Sequence, residues 1–191
     1  MDVLQAIASR RSIRNFRDEP IPDETLEVIL TAATQAPSGK NRQPWRFVVV
    51  TRDKRAEMVR LMREGIARAR SRGEEIGSSE WTANAMEKAA ATVFVFNPHG
   101  MHPWLARSIE QQFQDLVNTQ SIGAAIQNMA LAAQGMGIGS LWICDVFAAY
   151  EELRTWMGEE GQMVAAMSLG YADESPGPRP RKPMDDVTRW M

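Results

Sequence analysis

The sequence predicts a layered fold in which helices pack against a β-sheet, of either the α/β or the α+β class. Four β-rich runs alternate with helical segments along the chain. Several of those segments carry apolar residues at the spacing of an amphipathic helix. The chain has 191 residues, of which 44% are hydrophobic, enough for one domain with a sizeable core. With no internal repeat, residues 1–191 are predicted to form a single domain.

The first half of the chain is predicted to contain three helices and one buried strand. Apolar residues at i, i+3, i+4 and i+7 mark the second helix, and Pro37 ends it because proline disfavours helical geometry in the preceding residue. The predicted elements are a helix over 3–9 capped by Asp2, a helix that starts within 20–24, a buried strand over 46–50, and a helix over 53–70.

The second half is predicted to contain three strands, two helices and an extended tail. A polar stretch with two glycines, residues 71–79, is predicted to be a flexible loop. Repeated prolines exclude a helix or a central strand beyond Asp173, so residues 171–191 are predicted to run along a surface as a C-terminal tail. The other elements are strands over 91–96, 140–144 and 162–169, a helix over much of 108–134, and a helix over 150–157 closed by Gly158.

Charge and composition exclude several classes of function. The chain has 22 Lys and Arg against 24 Asp and Glu, a net charge of −2, which argues against nucleic-acid binding driven by bulk charge. No apolar run approaches the roughly 20 residues of a membrane span. Cys144 is the only cysteine and no signal peptide is recognisable, so we expect a cytoplasmic protein without an intrachain disulfide.

Three arginines and a serine lie close together in the segment from Arg10 to Arg14. A guanidinium donates two parallel hydrogen bonds and therefore suits a dianion such as phosphate. A solvated basic helix end is an equally weighted alternative, since arginine near a helix C-terminus complements the helix dipole. A second basic segment, Arg179–Lys182, favours the anion site.

A turn-rich loop of small and amide-bearing residues, Ala36–Trp45, follows the second helix. Such side chains and their backbone hydrogen-bond the flat polar edge of a ring, although an ordinary helix-to-strand loop has the same composition. An anion clamp followed by such a loop suggests a phosphorylated aromatic cofactor.

These segments resemble motifs of the nitroreductase family of FMN-dependent oxidoreductases. The matches are Arg-Arg-Ser-x-Arg at 10–14, Ala-Pro-Ser-x-x-x-x-Gln-Pro-Trp at 36–45, a glycine-rich turn and strand at 135–143, and Leu-Gly-Tyr at 169–171 with a basic tail at 179–183. Each motif alone is weak, but four in the family's order are specific and span nearly the whole chain. The resemblance implies an α+β fold, with a central, mostly antiparallel sheet flanked by helices. It also implies an intertwined homodimer that binds FMN at the subunit interface.

The resemblance also implies roles for individual residues. It places Arg14 near N1 and O2 of the isoalloxazine ring, where a positive charge stabilises the negative charge of the reduced flavin. The FMN phosphate would be bound by Arg10, Ser12 and Arg181, and less directly by Arg11 and Arg179. Loop residues that would reach the flavin from the partner subunit are Pro37, Ser38, Gly39, Asn41 and Gln43. Backbone groups that would meet N5 and O4 belong to Trp142, Ile143 and Cys144, with a small core residue as the favoured alternative for the Cys144 side chain.

Other site chemistries are disfavoured. The glycines of Gly135–Gly139 follow a helix and precede a strand, the reverse of a dinucleotide fingerprint, which predicts a helix cap and tight turn. The only histidines, His99 and His102, have no cysteine or carboxylate beside them, so no metal site is predicted. A Gly-x-Ser-x-Gly hydrolase motif is absent, and no catalytic acid or base is assigned.

Four further residues fall in regions where the family varies. Asn84 and Lys88 could replace flavin-contacting residues of some family members, and the sequence leaves this open. Trp81 and Trp104 fall where the family forms its substrate lid. For both tryptophans, packing or an interface is favoured over stacking on a planar substrate.

The sequence therefore predicts an FMN-dependent oxidoreductase that uses NAD(P)H to reduce a small planar acceptor, such as a nitroaromatic or a quinone, by a ping-pong mechanism. A reductive dehalogenase of the iodotyrosine-deiodinase-like branch is the second enzymatic candidate. A non-catalytic flavin-binding or storage protein and a flavin-free anion binder are alternatives from other classes. The sequence does not distinguish NADH from NADPH.

Overall fold

The computed structural model describes all 191 residues. It contains seven α-helices and four strands, joined by turns and loops. The helices are α1 (Val3–Ser9), α2 (Asp23–Thr34), α3 (Arg55–Ser71), α4 (Ser79–Lys88), α5 (Ile109–Gly135), α6 (Tyr150–Met157) and α7 (Met184–Val187). The strands are β1 (Arg46–Thr51), β2 (Ala91–Asn97), β3 (Gly139–Ile143) and β4 (Gln162–Gly170). None of the seven helices is both long and apolar enough to cross a bilayer.

The four strands form one antiparallel sheet in the order β1-β2-β4-β3. This arrangement confirms the α+β class and excludes the α/β alternative. Phe94 of β2 pairs with Ala166 of β4, and Trp142 of β3 pairs with Met167. The central strands are β2 and β4, so β1 and β3 are the edges within one chain.

Helices cover both faces of the sheet and create two hydrophobic cores. Phe94 and Phe96 pack with buried residues of α3, α4 and α6 on one face. Val93 and Val95 pack with buried residues of α2 and α5 on the other. Every residue of β2 is buried, which explains why hydrophobic residues face both sides of the sheet along 93–96 instead of alternating with polar ones.

Local signals predicted most boundaries correctly. The Asp2 carboxylate accepts a hydrogen bond from the Gln5 N–H at 2.9 Å, and Gly158 ends α6 in the left-handed conformation at φ 68°. The helix α5 ends at Gly135, and Gly137 turns the chain at φ 75° before β3 begins at Gly139. This geometry confirms a helix cap and turn instead of a dinucleotide-binding loop.

Three predictions about the elements are wrong. The strand β1 is largely accessible, because it lies at the edge of the sheet. Of its six residues, only Val50 is buried. The helix α4 was not predicted, since its alanines and single methionine give only a weak apolar stripe. The tail is not free of helix, because α7 forms one turn directly after Pro183, where the prolines end.

The N-terminal segment 12–17 lies against one end of the sheet, beside the start of the tail. The Ile13 N–H donates to the Ser140 carbonyl at 3.0 Å, and the Arg17 N–H donates to the Tyr171 carbonyl at 2.9 Å. A Cβ on Gly170 would lie 2.7 Å from a ring carbon of Phe16, so glycine is needed for this close approach. The packing of this segment positions the basic residues that follow α1.

Candidate functional site

Five arginines from opposite ends of the chain line one cavity of about 320 Å³. One wall comes from the segment after α1 and the other from the proline-rich tail. The predicted site residues that the structure brings together here are Arg10, Arg11, Ser12, Arg14, Arg179 and Arg181. The segments 10–14 and 179–181 therefore meet in space although most of the chain separates them.

The arginines of this cavity form no ion pair within the chain. No Asp or Glu lines it, and none of the ion pairs in the structure involves any of its five arginines. By contrast, arginines on α3 pair with carboxylates, such as Arg63 with Glu87 at 2.7 Å. Clustered arginines without carboxylate partners favour a multiply charged anion such as phosphate.

The arginines of the cavity differ in how far the protein already uses their hydrogen-bond donors. Arg11 Nη1 donates to the carbonyls of Ala8 and Arg10, each at 2.8 Å, so Arg11 caps the C-terminus of α1. The helix-end interpretation thus applies to Arg11. Arg14 and Arg181 each make a single long bond of 3.3 Å to a nearby carbonyl. Most of their donors remain available to a ligand.

Glu174 fastens the start of the tail to the arginine segment. Its carboxylate accepts hydrogen bonds from the backbone N–H groups of Arg14 and Asn15, and from Asn15 Nδ2 at 3.1 Å. Partial burial acts to raise the pKa of Glu174, but these hydrogen bonds outweigh it and hold the pKa below its ordinary value. The ionised form of Glu174 is therefore part of the folded structure.

Replacing Glu174 with glutamine is expected to destabilise the protein at neutral pH but not in acid. Because the folded-state pKa is lowered, the stabilisation is fully present above the unfolded-state value of about 4.3 and is lost as pH falls through the folded-state pKa. We expect the free energy of unfolding to fall by about 1 kcal/mol at pH 7. This is a small effect for a charged hydrogen bond, because solvent reaches the carboxylate. Urea unfolding at pH 7, 5 and 3.5 measures this loss.

A matched control is Glu75→Gln, which removes an exposed carboxylate that makes no ion pair. It should leave the free energy of unfolding nearly unchanged at each pH. If Glu174→Gln lowered the free energy of unfolding by the same amount at pH 7 and at pH 3.5, a role for the ionised carboxylate would be contradicted.

A second cavity of about 390 Å³ lies beside the first, at the end of β3. Arg14 and Arg179 line both cavities, so the two are adjacent. The predicted residues Trp142, Ile143 and Cys144 line the second cavity. The structure thus joins the arginine-lined cavity to a larger one whose walls are partly apolar and partly polar.

Cys144 is exposed, so its interpretation as a small core residue is wrong. It directly follows the last residue of β3, where the chain leaves the sheet. Partial burial, together with the neighbouring Asp145 carboxylate, raises the pKa of the thiol. A neutral thiol is a poor nucleophile, which fits a residue that lines the cavity without reacting.

The loop residues 37–43 do not line either cavity within one chain. The loop packs instead on α5: the Gly39 N–H donates to Ser121 Oγ at 3.3 Å, and a Cβ at position 39 would lie 2.6 Å from a methyl of Val117. The Gln43 N–H donates to Ser38 Oγ at 3.0 Å. The structure therefore does not bring Pro37, Ser38, Gly39, Asn41 and Gln43 together with the arginines of the same chain.

Three residues of this loop adopt strained backbone conformations. Lys40, Asn41 and Gln43 have φ values of 54°, 52° and 49°, in the left-handed region that residues other than glycine rarely adopt. Such strain persists where the surrounding structure holds the loop in place, and it is concentrated at ligand-binding sites. The contacts with α5 and these backbone conformations distinguish the loop from an ordinary helix-to-strand connection.

The four residues in the variable regions have different environments. Asn84 accepts a hydrogen bond from Arg63 on α3 at 3.2 Å and lines neither cavity. Lys88 donates to Asn15 Oδ1 at 2.8 Å, next to Arg14. Trp104 packs against Tyr150, with 5.2 Å between ring centroids. Both tryptophans are exposed, but only Trp81 lines the second cavity.

Sequence reasoning missed three polar residues of the second cavity, Ser78, Thr82 and Asp145. The Asp145 carboxylate accepts hydrogen bonds from the hydroxyls of Ser78 and Thr82, the latter at 3.2 Å. The polar Ser-Ser-Glu at 78–80 is an available signal for a helix start, but it lies at the end of a stretch interpreted as a loop. Without α4, neither hydroxyl could be placed near the end of β3.

Comparison with known proteins identifies the family. A model of the Nitroreductase family matches residues 7–171. A protein of Archaeoglobus fulgidus named "Putative NADH dehydrogenase/NAD(P)H nitroreductase" is 35% identical over 175 residues, which cover 89% of this chain and 85% of that protein. A protein of Methanothermobacter thermautotrophicus with the same name is 31% identical over 94% of this chain and 82% of its own length. The chain belongs to the nitroreductase family, as its motifs predict.

Solved structures agree with this assignment. The crystal structure of a "putative nitroreductase" from Desulfovibrio desulfuricans in complex with FMN has a TM-score of 0.76 at 27% identity, and the match covers 100% of this chain and 97% of that chain. An NADPH:FMN oxidoreductase from Vibrio harveyi, complexed with NAD+, has a TM-score of 0.74 at 26% identity and covers 98% of this chain and 76% of that chain. These likenesses confirm the nitroreductase-like fold.

Proposed function

We propose that the protein is an FMN-dependent oxidoreductase that uses NAD(P)H as its reductant. The observation that carries the proposal is the cavity in which five arginines from the two ends of the chain meet with no carboxylate among them. Membership of the nitroreductase family supports the same conclusion. Two structural relatives support it as well, since one was solved in complex with FMN and the other in complex with NAD+.

The residues present fit FMN. Arg10, Ser12 and Arg181 would bind the phosphate, because a dianion compensates the unpaired charge of the two arginines and accepts a hydrogen bond from the Ser12 hydroxyl. Arg11 and Arg179 complete the wall, and Arg11 also stabilises the end of α1. The second cavity would then hold the ring system, with Arg14 at the junction and the backbone of 142–144 along one side. A fixed guanidinium at Arg14 favours any negative charge that develops beside it.

When bound, FMN would supply the two-electron chemistry, accepting electrons from NAD(P)H and passing them to a planar acceptor in a ping-pong cycle. For a quinone acceptor, NAD(P)H, one proton and the quinone give NAD(P)+ and the hydroquinone. The protein would bind both substrates in turn at the second cavity. Its own contributions are the orientation of each ring and the positive charge of Arg14. Nitroaromatics and quinones are the proposed acceptors.

Bound FMN is the direct test of this function. The purified protein should be yellow, and the cofactor that heat releases should co-elute with FMN rather than FAD in chromatography. NADH or NADPH should bleach its visible absorption under anaerobic conditions. A colourless protein that does not take up added FMN would overturn the proposed function.

We also propose that the protein acts as an intertwined homodimer in which each chain is a single FMN-binding domain over residues 1–191, with 171–191 as an extended tail whose end, beyond Arg181, reaches the partner. Two observations support this. The strained loop 37–43 lines neither cavity of its own chain, so a role at the flavin requires a second copy. The end of the tail exposes the apolar residues Val187, Trp190 and Met191.

An unpartnered apolar stripe on α5 supports the same assembly. Ile109, Phe113 and Leu116 are 86%, 68% and 53% exposed and lie on one side of the first turns of the helix. A contiguous apolar patch of this kind is typical of a protein interface. Obligate interfaces commonly bury more than about 2,000 Å², which a stripe, a loop and a tail together can supply.

Light scattering tests the assembly. We expect a dimer for the wild-type protein, and a shift towards monomer with loss of FMN for Phe113→Glu, because a buried charge at the interface is costly. Glu110→Gln, at an exposed neighbouring position of the same helix, should remain dimeric and yellow. A wild-type monomer that retains FMN would contradict the homodimer.

A further inference from the structure

We propose that Trp81 is the residue on which the planar acceptor stacks, and that Asp145 positions it by fixing the start of α4. The proposal rests on the proposed function and names the residue that selects flat acceptors at the second cavity. The sequence alone favours packing or an interface for Trp81. Its place in the structure changes that interpretation.

The indole of Trp81 is 73% exposed and makes no stacking or cation–π contact within the chain. Trp104 is almost as exposed, but it packs on the rings of His102 and Tyr150 and lines no cavity with Arg14. Trp81 lines the second cavity together with Trp142 and Cys144. An indole without a ring partner on the wall of a ligand-sized cavity is available to stack on a ligand.

The start of α4 is tied to the end of β3 on both sides of Trp81. The Asp145 carboxylate, just after β3, accepts a hydrogen bond from Ser78 Oγ before the helix and from Thr82 Oγ1 within its first turn. Trp81 directly precedes Thr82 and lies between these two hydroxyls along the chain. A carboxylate beside a helix N-terminus also complements the helix dipole. Asp145 therefore restricts where the Trp81 indole can lie.

The chemistry of the walls indicates a class of acceptor. Trp81 presents an electron-rich aromatic face, while Arg14 and Arg179 bring positive charge to the same cavity. A flat, electron-poor ring gains from stacking on indole. A compact inorganic oxidant cannot stack. The site should thus favour a two-ring quinone over an acceptor such as ferricyanide.

Equilibrium binding of menadione to the oxidised holoenzyme, without NAD(P)H, tests the stacking role independently of turnover. Trp81→Ala should raise the dissociation constant roughly three- to tenfold, and Trp81→Phe should restore most of the affinity. The KM for menadione should rise in parallel. Trp104→Ala, the matched control, should leave menadione binding unchanged.

A double-mutant cycle tests the positioning role. Asp145→Ala alone should weaken menadione binding, but Asp145→Ala combined with Trp81→Ala should bind no more weakly than Trp81→Ala, because Asp145 acts through the indole. Additive losses would overturn the role of Asp145. Wild-type menadione affinity in a yellow, ferricyanide-reducing Trp81→Ala protein would overturn the role of Trp81 and leave the proposed function standing. A protein that binds no FMN would overturn both.

Discussion

Replacing Arg181 with alanine is expected to weaken FMN binding by roughly ten- to a hundredfold. Arg181 lines the arginine cavity, makes no ion pair and spends only one long hydrogen bond on the protein. Its donors would therefore be committed to the ligand, and a charge-assisted hydrogen bond contributes about 1.5–3 kcal/mol. That free energy corresponds to the stated change in dissociation constant. Fluorescence titration of the apoprotein with FMN measures it.

The matched control is Arg72→Ala, which removes an exposed arginine whose carboxylate partner is Glu74, two residues along the chain. Arg72→Ala changes the net charge of the protein by the same amount as Arg181→Ala. Because Arg72 lies outside both cavities, its replacement should not change FMN affinity. Riboflavin, which lacks the phosphate, should bind equally weakly to wild-type protein and to Arg181→Ala. An undiminished FMN affinity in Arg181→Ala would show that the tail does not contribute to the phosphate site.

Replacing Arg14 with alanine is expected to lower the two-electron midpoint potential of bound FMN. Arg14 lines both cavities, so it would lie where the phosphate site meets the ring site. A guanidinium beside the ring stabilises the negative charge that appears on reduction. Loss of about 1.5–3 kcal/mol of that stabilisation corresponds to a fall of about 30–60 mV for a two-electron couple. Spectroelectrochemical titration of protein saturated with FMN measures the potential.

Arg14→Lys separates charge from geometry. Lysine keeps the positive charge but not the planar fork, so the midpoint potential should fall less than in Arg14→Ala. Reduction by NAD(P)H should slow in both variants in the order of their potentials. An unchanged potential in fully loaded Arg14→Ala would assign Arg14 to the phosphate site or to a solvated surface.

Features that depend on a few neighbouring residues were predictable from the sequence. The Asp2 cap, the Gly158 terminus and the turn after α5 follow from rules that act within one helical turn. The exposure of β1 did not follow, because a valine-rich run has the same sequence whether it is central or at an edge. Its exposure depends on which strands pair with it, and only β2 does.

The candidate site divides in the same way. By itself, the sequence determined the residue types that can bind a phosphate, namely two arginine-rich segments, and the motif order that places the chain in its family. The resemblance implied that these segments meet, and only the tertiary structure decided that they share a cavity within one chain and that Arg11 also caps α1. It also decided that Asp145 fixes the helix that carries Trp81. The physical reason is that local rules act through neighbouring backbone groups, whereas the cavities depend on hydrogen bonds and packing between elements distant in sequence, which exist only once the sheet has formed.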